Sequence, residues 1–216
     1  MINKVYTDAD RELWEPTDEL IRTQLAPAMY SRKIHRSTVQ SAALLAQFLY
    51  EIANKGQTRQ DVKVFGAGSY EDIVVASIKA TGYNVIDADP MINGLTVEQY
   101  HERHPTDEFD YVVSTSVLEH VPNDENFVRI CARMLKEGGT CLMSMDFKED
   151  WDGGRTPATS LRFYKKHDLE VRLRQIIESE GCELVGECDW SDSDTFYYDG
   201  FIYGFAGFVF KKVIRD

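Results

Sequence analysis

The chain is 216 residues long, with 24 Lys and Arg against 36 Asp and Glu and a formal net charge of -12. That balance excludes a nucleic-acid backbone as the main partner, because phosphate binding needs a basic face to displace counterions. An apolar share of 43%, 12% aromatics and only 6 prolines describe a folded α/β chain rather than a disordered one.

The opening MINKVYTDADRELWEP is charged where an export signal needs an apolar run. The longest apolar stretch, AALLAQFLYEIA, is too short for a membrane span and carries a glutamate. A cytoplasmic protein with no membrane partner is therefore expected, and a homodimer is left open. Cys131, Cys141, Cys182 and Cys188 form no CxxC pair and predict reduced, mostly buried thiols.

The first sixty residues read as helical, and residues 1–58 are taken as a helical cap before an α/β unit at 59–216. Leu20, Ile21, Leu25 and Met29 predict a helix over 16–29, interrupted by Pro27. A basic knot, YSRKIHR, follows at 30–36. Ser37 and Gln40 have the spacing of a capping box at the start of a second helix, which carries Val39, Ala42, Ala43, Ala46, Leu49 and Ile52 and stops at Gly56. From residue 61 strands and helices alternate: DVKVF, a helix at 71–80, YNVIDA, FDYVVSTS, a helix at 124–135, TCLMSMDF, a helix at 167–181, CELVGE and FAGFVFKKVI. Strands separated by such helices predict parallel crossovers and a doubly wound sheet. A loop rather than a helix precedes the last strand, so that strand is expected to be antiparallel.

The first strand runs into Gly66-Ala67-Gly68 and then a helix, a turn where free amides and missing Cβ atoms admit an oxygen-rich ligand. Asp87 ends the second strand 21 residues after Gly66, where a sheet of this type hydrogen-bonds a ribose diol. The nicotinamide fingerprint wants a glycine at position 71, which is Glu71, and the S-adenosylmethionine pattern wants one at 70, which is Tyr70.

Further along, Phe109-Asp110, Leu118-Glu119-His120-Val121 and Leu135-Lys136-Glu137-Gly138-Gly139 occur in order. This block resembles the centre of class I S-adenosylmethionine-dependent methyltransferases, and with the glycine turn and Asp87 the resemblance covers roughly 60–210. It implies a Rossmann-like, mostly parallel seven-stranded sheet with an antiparallel final strand, and S-adenosylmethionine as cofactor. It also implies roles: Phe65, Gly66, Ala67 and Gly68 beside the amino-acid end of the cofactor, Asp87 on its ribose, and Ala88 and Asp89 near the adenine. Ser114, Thr115 and Val117 would border the methionine and methyl group. Val64, Tyr70 and a short MINGLTVEQYHERHPTDE stretch depart from that family's pattern.

In-line methyl transfer to a hydroxyl needs alignment and a base. His120 and Asp146 are the candidates, and His167 reads as a helix-end or surface residue. His101 and His104 have helical spacing but no surrounding metal motif, so no metal is expected. Tyr30, Arg32, Lys33, His35 and Arg36 are candidate lid residues, and Trp151, Trp190, Phe196, Tyr197, Tyr198 and Tyr203 candidate stacking surfaces for a small polar acceptor. The expected activity is methyl transfer to an oxygen of a sugar-like or hydroxylated metabolite. The alternatives are an inactive cofactor-binding relative and a nicotinamide-dependent oxidoreductase.

Overall fold

A computed structural model of the chain describes residues 1–34, 37–157, 159–191 and 196–215. Its elements, in order, begin with strand β1 (Asn3–Tyr6), helix α1 (Asp8–Leu20), a π-helical turn (Ile21–Leu25), α2 (Pro27–Tyr30) and α3 (Thr38–Lys55). The alternating part is β2 (Lys63–Ala67), α4 (Ile73–Ala80), β3 (Asn84–Ala88), α5 (Val97–Arg103), β4 (Phe109–Thr115), α6 (Asp124–Arg133) and β5 (Leu135–Phe147). A second π-helical turn (Asp168–Leu173) leads into α7 (Arg174–Ser179), and β6 (Cys182–Leu184), β7 (Cys188–Asp189), β8 (Phe196–Tyr198) and β9 (Phe201–Lys212) close the chain.

Among the described residues the sheet has nine strands rather than the seven expected, in the order β3-β2-β4-β5-β9-β1-β7, with β6 and β8 also paired to β9. The β3-β2-β4-β5 half is parallel throughout, and β9 runs antiparallel to β5, as the loop before it predicts. β3 is the sheet edge, because 89–108 supplies a loop and α5 but no further strand.

Side chains alternate between the two faces with period two. Phe65, Val112, Met143 and Phe208 bury one face against Tyr100, Phe127, Cys131 and Ile177 of α5, α6 and α7. Val64, Tyr111, Val113 and Leu142 bury the other against Leu44, Phe48, Val74 and Ile78 of α3 and α4. Phe48 meets Tyr111 edge-on at 4.9 Å and Tyr83 at 5.2 Å, and full burial of such a ring is worth about 1.5–3 kcal/mol. Cys131, Cys141 and Cys182 are buried free thiols, as expected.

The start of the chain is not all helical. β1 enters the sheet between β9 and β7, held by Asn3, whose amide donates to the carbonyls of Val185 (3.0 Å) and Val209 (2.9 Å). A four-residue strand of sequence NKVY carries too little alternation to be read beforehand. The first helix also begins earlier than expected. The capping group is Asp10, whose carboxylate accepts from the Thr7 amide (2.8 Å) and hydroxyl (2.9 Å). Pro27 does interrupt the run, at the first turn of α2, where its missing N–H costs nothing.

The expected Ser37–Gln40 capping box does not form. The Ser37 hydroxyl donates back to the Ile34 carbonyl at 2.7 Å, and Gln40 points into the protein. Gly56 does end α3 in the left-handed region at φ 59°.

Candidate functional site

The glycine turn leaves β2 with Gly68 at φ 73°, and its amide donates to the Ala88 carbonyl at 2.9 Å. Asp72 then caps α4, accepting from Val74 (2.8 Å) and Val75 (3.1 Å) with one oxygen and from the Thr115 amide (3.2 Å) with the other. Its burial raises its pKa, while these bonds and the Lys33 charge oppose the rise. One carboxylate thus ties the first strand-to-helix turn to the end of β4. On either side stand Glu71 at φ 57° and Ser116 at φ 51°, left-handed conformations uncommon for side chains other than glycine. Strain of this kind is typically concentrated at functional sites.

Asp87, at the end of β3, gives one oxygen to Lys79, while its buried Oδ1 has no hydrogen-bond partner among the described residues. A Cβ at position 66 would stand 2.8 Å from that oxygen, so only glycine leaves the approach open. At position 68 a Cβ would come within 2.5 Å of Val117 Cγ1, so the Val117 side chain rests directly on the bare backbone. An orphaned buried acceptor is what a ribose hydroxyl would satisfy, and the two glycines give the cradle, so these residues fit S-adenosylmethionine. Asp89 is more fully engaged, accepting from the Tyr70 amide (3.0 Å) and the Met91 amide (2.7 Å). It shapes the loop beside that pocket.

On the α3 side of the sheet, beyond the carboxyl ends of β4 and β5, lies a cavity of about 190 Å³. Gln40 roofs it, donating to the Ser116 hydroxyl at 2.8 Å and accepting from Ser144 at 2.7 Å. Glu119 and Asp146 line it and are 1% and 5% exposed. Among the described residues neither Glu119 oxygen has a hydrogen-bond partner. Burial raises the pKa of both, Asp146 strongly, and the charge of Glu119 pushes Asp146 up further. His120 sits beside them, its Nδ1 2.7 Å from the Thr159 carbonyl and its Nε2 3.9 Å from Glu119 Oε1. Since a carbonyl only accepts, Nδ1 carries a hydrogen, and in the neutral ring that makes Nε2 the acceptor.

His120, Asp146 and Thr115 therefore share one cavity, while Gly66, Gly68, Asp87 and Val117 gather beside it around the glycine turn. Phe65, Ala67, Ala88 and Ser114 are buried at 0–1% exposure, so a ligand meets their backbone and not their side chains. Of the lid candidates, Lys33 lines the cavity, Arg32 faces Glu71 at 3.9 Å, and Tyr30 is buried, donating to Asp18 at 2.6 Å. His35 and Arg36 lie outside the described residues. Phe196, Tyr198 and Tyr203 reach the cavity, whereas Trp190 is core, donating to the Gly207 carbonyl at 2.9 Å. His104 stacks on Tyr100 at 4.7 Å, and among the described residues no His, Cys, Asp and Glu group has the arrangement of a metal site.

Sequence reasoning missed Glu119 and the inward role of Gln40. The signal for the first was present: Leu142, Ser144 and Asp146 alternate onto the α3 face of β5, so an acid at position 146 had to meet whatever the LEH turn carried. Gln40 has no such signal, since its spacing from Ser37 satisfies a local motif equally well.

The methyltransferase domain family's model matches residues 36–178. Over 94 residues the chain is 35% identical to the ubiquinone biosynthesis O-methyltransferase of Sodalis glossinidius (strain morsitans), a stretch covering 43% of this chain and 36% of that protein. The match thus spans little more than a third of that relative's length. Among solved structures, the 1,6-didemethyltoxoflavin-N1-methyltransferase of Burkholderia thailandensis superposes with a TM-score of 0.52 at 13% identity, over 97% of this chain and 92% of that one. The magnesium protoporphyrin IX methyltransferase of Synechocystis PCC 6803 gives 0.51 at 12% identity, over 92% and 99%. Those two likenesses are of fold. With the family model running from just before α3 into α7, the chain belongs to the class I S-adenosylmethionine-dependent methyltransferases.

Proposed function

We propose that this protein transfers a methyl group from S-adenosylmethionine to an oxygen of a small, sugar-like or otherwise hydroxylated acceptor, with His120 as the base. The observation that carries the reading is His120 itself: its Nδ1 is bonded to the Thr159 carbonyl, its Nε2 stands 3.9 Å from Glu119 Oε1, and it lines a cavity beside the glycine turn. The O-methyltransferase name of the Sodalis relative supports an oxygen as the methylated atom.

The bound cofactor supplies a methyl group already activated on a sulfonium. The chain has to hold, align and move one proton. Asp87 would accept from the ribose hydroxyls through its unpartnered Oδ1. The backbone of Phe65–Gly68 would lie along the amino-acid end, Ala88 and Asp89 by the adenine, and Ser114, Thr115 and Val117 by the methionine. His120 Nε2 takes the acceptor's hydroxyl proton as the carbon–oxygen bond forms, and the negative charge left on the Glu119–Asp146 pair stabilises the resulting imidazolium. Asp146 acts through that pair, not as a free carboxylate base, since its proton is held tightly.

A thermal-shift experiment followed by turnover tests this. S-adenosylhomocysteine should raise the melting temperature by mass action and NADH should not. Labelled methyl from S-adenosylmethionine should then appear on a member of a panel of hydroxylated small molecules. A shift with NADH alone overturns the reading, and cofactor binding with no transfer makes the chain an inactive relative.

A further inference from the structure

The Glu119–Asp146 end of the cavity lacks something the protein does not provide. Two carboxyl groups line the same cavity, both at least nine-tenths buried, and among the described residues neither oxygen of Glu119 has a hydrogen-bond partner. Unsatisfied buried acceptors of this kind cost folding free energy that an apolar pair would not. Nor is a permanent cation at hand among the described residues. Among the described lining residues Lys33 is the one permanent positive charge, and its field is felt at Asp72, on the glycine-turn side. Arg32, next to it, faces Glu71 outside. The remaining charged or titratable groups lining the space are Glu71, Asp72, His120, Tyr198 and Tyr203. The Tyr203 hydroxyl is held in its neutral form by burial and by the Asp146 and Glu119 charges.

The wall beside the acids is aromatic. Phe196, Tyr203 and Phe205 form a cluster with ring centroids 5.0–5.6 Å apart, and all three border the cavity. Acidic oxygens under aromatic rings recognise a positive nitrogen twice, through charge-assisted hydrogen bonds and through the ring quadrupole. A hydroxyl could use only the first. We propose that this end of the cavity is an acceptor subsite for a protonated amine, so that the acceptor is a small amino alcohol. The inference rests on the methyl-transfer reading and narrows its substrate class. His120 Nε2 lies 3.9 Å from Glu119 Oε1, so an ammonium on the acids brings a hydroxyl on the neighbouring carbon to the base. Seating the ammonium also favours the ionised form of both acids, so a proton held at either one leaves to solvent.

Calorimetric titration of the protein saturated with S-adenosylhomocysteine tests this, using trans-2-aminocyclohexanol and trans-cyclohexane-1,2-diol as probes. The two differ by one group. In two buffers of different ionisation heat at the same pH, the amino alcohol should bind at least about tenfold more tightly than the diol, about 1.4 kcal/mol. It should release a proton, and the diol should not. Glu119→Gln and Asp146→Asn, each nearly isosteric and each relieving buried charge, should abolish both the preference and the proton release while binding S-adenosylhomocysteine as the wild type does. Equal binding of the probes, no binding of the amino alcohol at millimolar concentration, or a preference that survives both variants overturns the proposal. A parallel loss of S-adenosylhomocysteine affinity in the variants also overturns it, because the pair would then serve the cofactor's own ammonium. If the wild type binds no S-adenosylhomocysteine at all, it is the methyl-transfer reading that falls.

Discussion

The Ser144 hydroxyl donates to the Gln40 side-chain oxygen at 2.7 Å across 104 positions of sequence. The same oxygen accepts from Ser116 at 3.1 Å, and the Gln40 amide returns a bond to Ser116 at 2.8 Å. One amide on α3 thus clamps the end of β5 and a residue held at φ 51° after β4. Both strands deliver site residues immediately beyond these bonds, Asp146 on one and Glu119 and His120 on the other.

Gln40→Leu keeps the volume and removes the clamp, leaving two serine hydroxyls without their amide partner. The expected cost is about 1–3 kcal/mol in urea denaturation. Turnover should fall more than that loss of folded protein explains, since Ser116 would no longer be held in its left-handed conformation. A variant with wild-type stability and rate would show that the clamp holds nothing.

Asp87→Ala removes the unpartnered oxygen offered to the ribose. Loss of a charge-assisted partner is worth about 1.5–3 kcal/mol, so S-adenosylhomocysteine should bind roughly tenfold or more weakly by calorimetry. Lys79→Met frees the second oxygen of the same carboxylate and should leave affinity unchanged or raised. Unchanged affinity in Asp87→Ala would contradict the ribose assignment.

How much of this was legible beforehand follows from the range of the forces involved. The parallel strands from Lys63 to Phe147 announce themselves because burial on both faces demands apolar runs, and the turns between them demand Gly66, Gly68 and Gly82. The antiparallel finish was legible for the same reason: β9 is a long apolar run with no helix before it. β1 was not, since Asn3 earns its place through bonds to carbonyls at 185 and 209, near the other end of the chain. Asp87, His120 and Asp146 could be found because strand ends and a short motif fix where they project. The Glu119–Asp146 pairing was legible only in part: alternation along β5 aims Asp146 at the turn after β4, but which residue of that turn faces it is a property of the folded sheet.

That pairing has a pH signature. Burial, and for Asp146 the neighbouring Glu119 charge, place both folded-state pKa values above their unfolded ones. The folded protein therefore holds more protons than the unfolded chain between about pH 4, the ordinary carboxylate value, and the raised values. Their contribution to stability is fully present below about pH 4 and is lost as the pH rises through the raised values. Glu119→Gln removes the Glu119 part of that slope and its push on Asp146, while the burial of Asp146 stays. Its melting temperature should exceed that of the wild type near pH 8, and the gap should close toward pH 4. Asp72, also raised, is common to both proteins and cancels in the difference. A gap that is constant with pH would mean that Glu119 is not raised in the folded protein.

The placement of β1 is testable through Gly207 on β9. A Cβ built there falls inside contact distance of the Tyr6 hydroxyl and the Ile2 carbonyl, both contributed by the first six residues. Gly207→Ala should cost about 1–3 kcal/mol, the usual penalty of overpacking a filled site. Removing the obstruction with Tyr6→Phe in the same chain should restore only part, because the Ile2 carbonyl stays in the way. A Gly207→Ala protein as stable as wild type would mean that β1 does not lie against β9.

His120→Ala separates the base from the scaffold. The ring is 39% exposed and its one strong bond, at 2.7 Å, is to the Thr159 carbonyl, so its loss should change the melting temperature little. Affinity for S-adenosylhomocysteine should also hold, since none of the residues assigned to the cofactor bonds to the imidazole. Turnover should drop by about 10²–10⁴, the range a positioned general base contributes. Added imidazole should restore part of the rate, because it can enter the space the side chain leaves and accept the same proton. A structural role for His120 predicts no such rescue, and a fully active His120→Ala removes the residue from the mechanism.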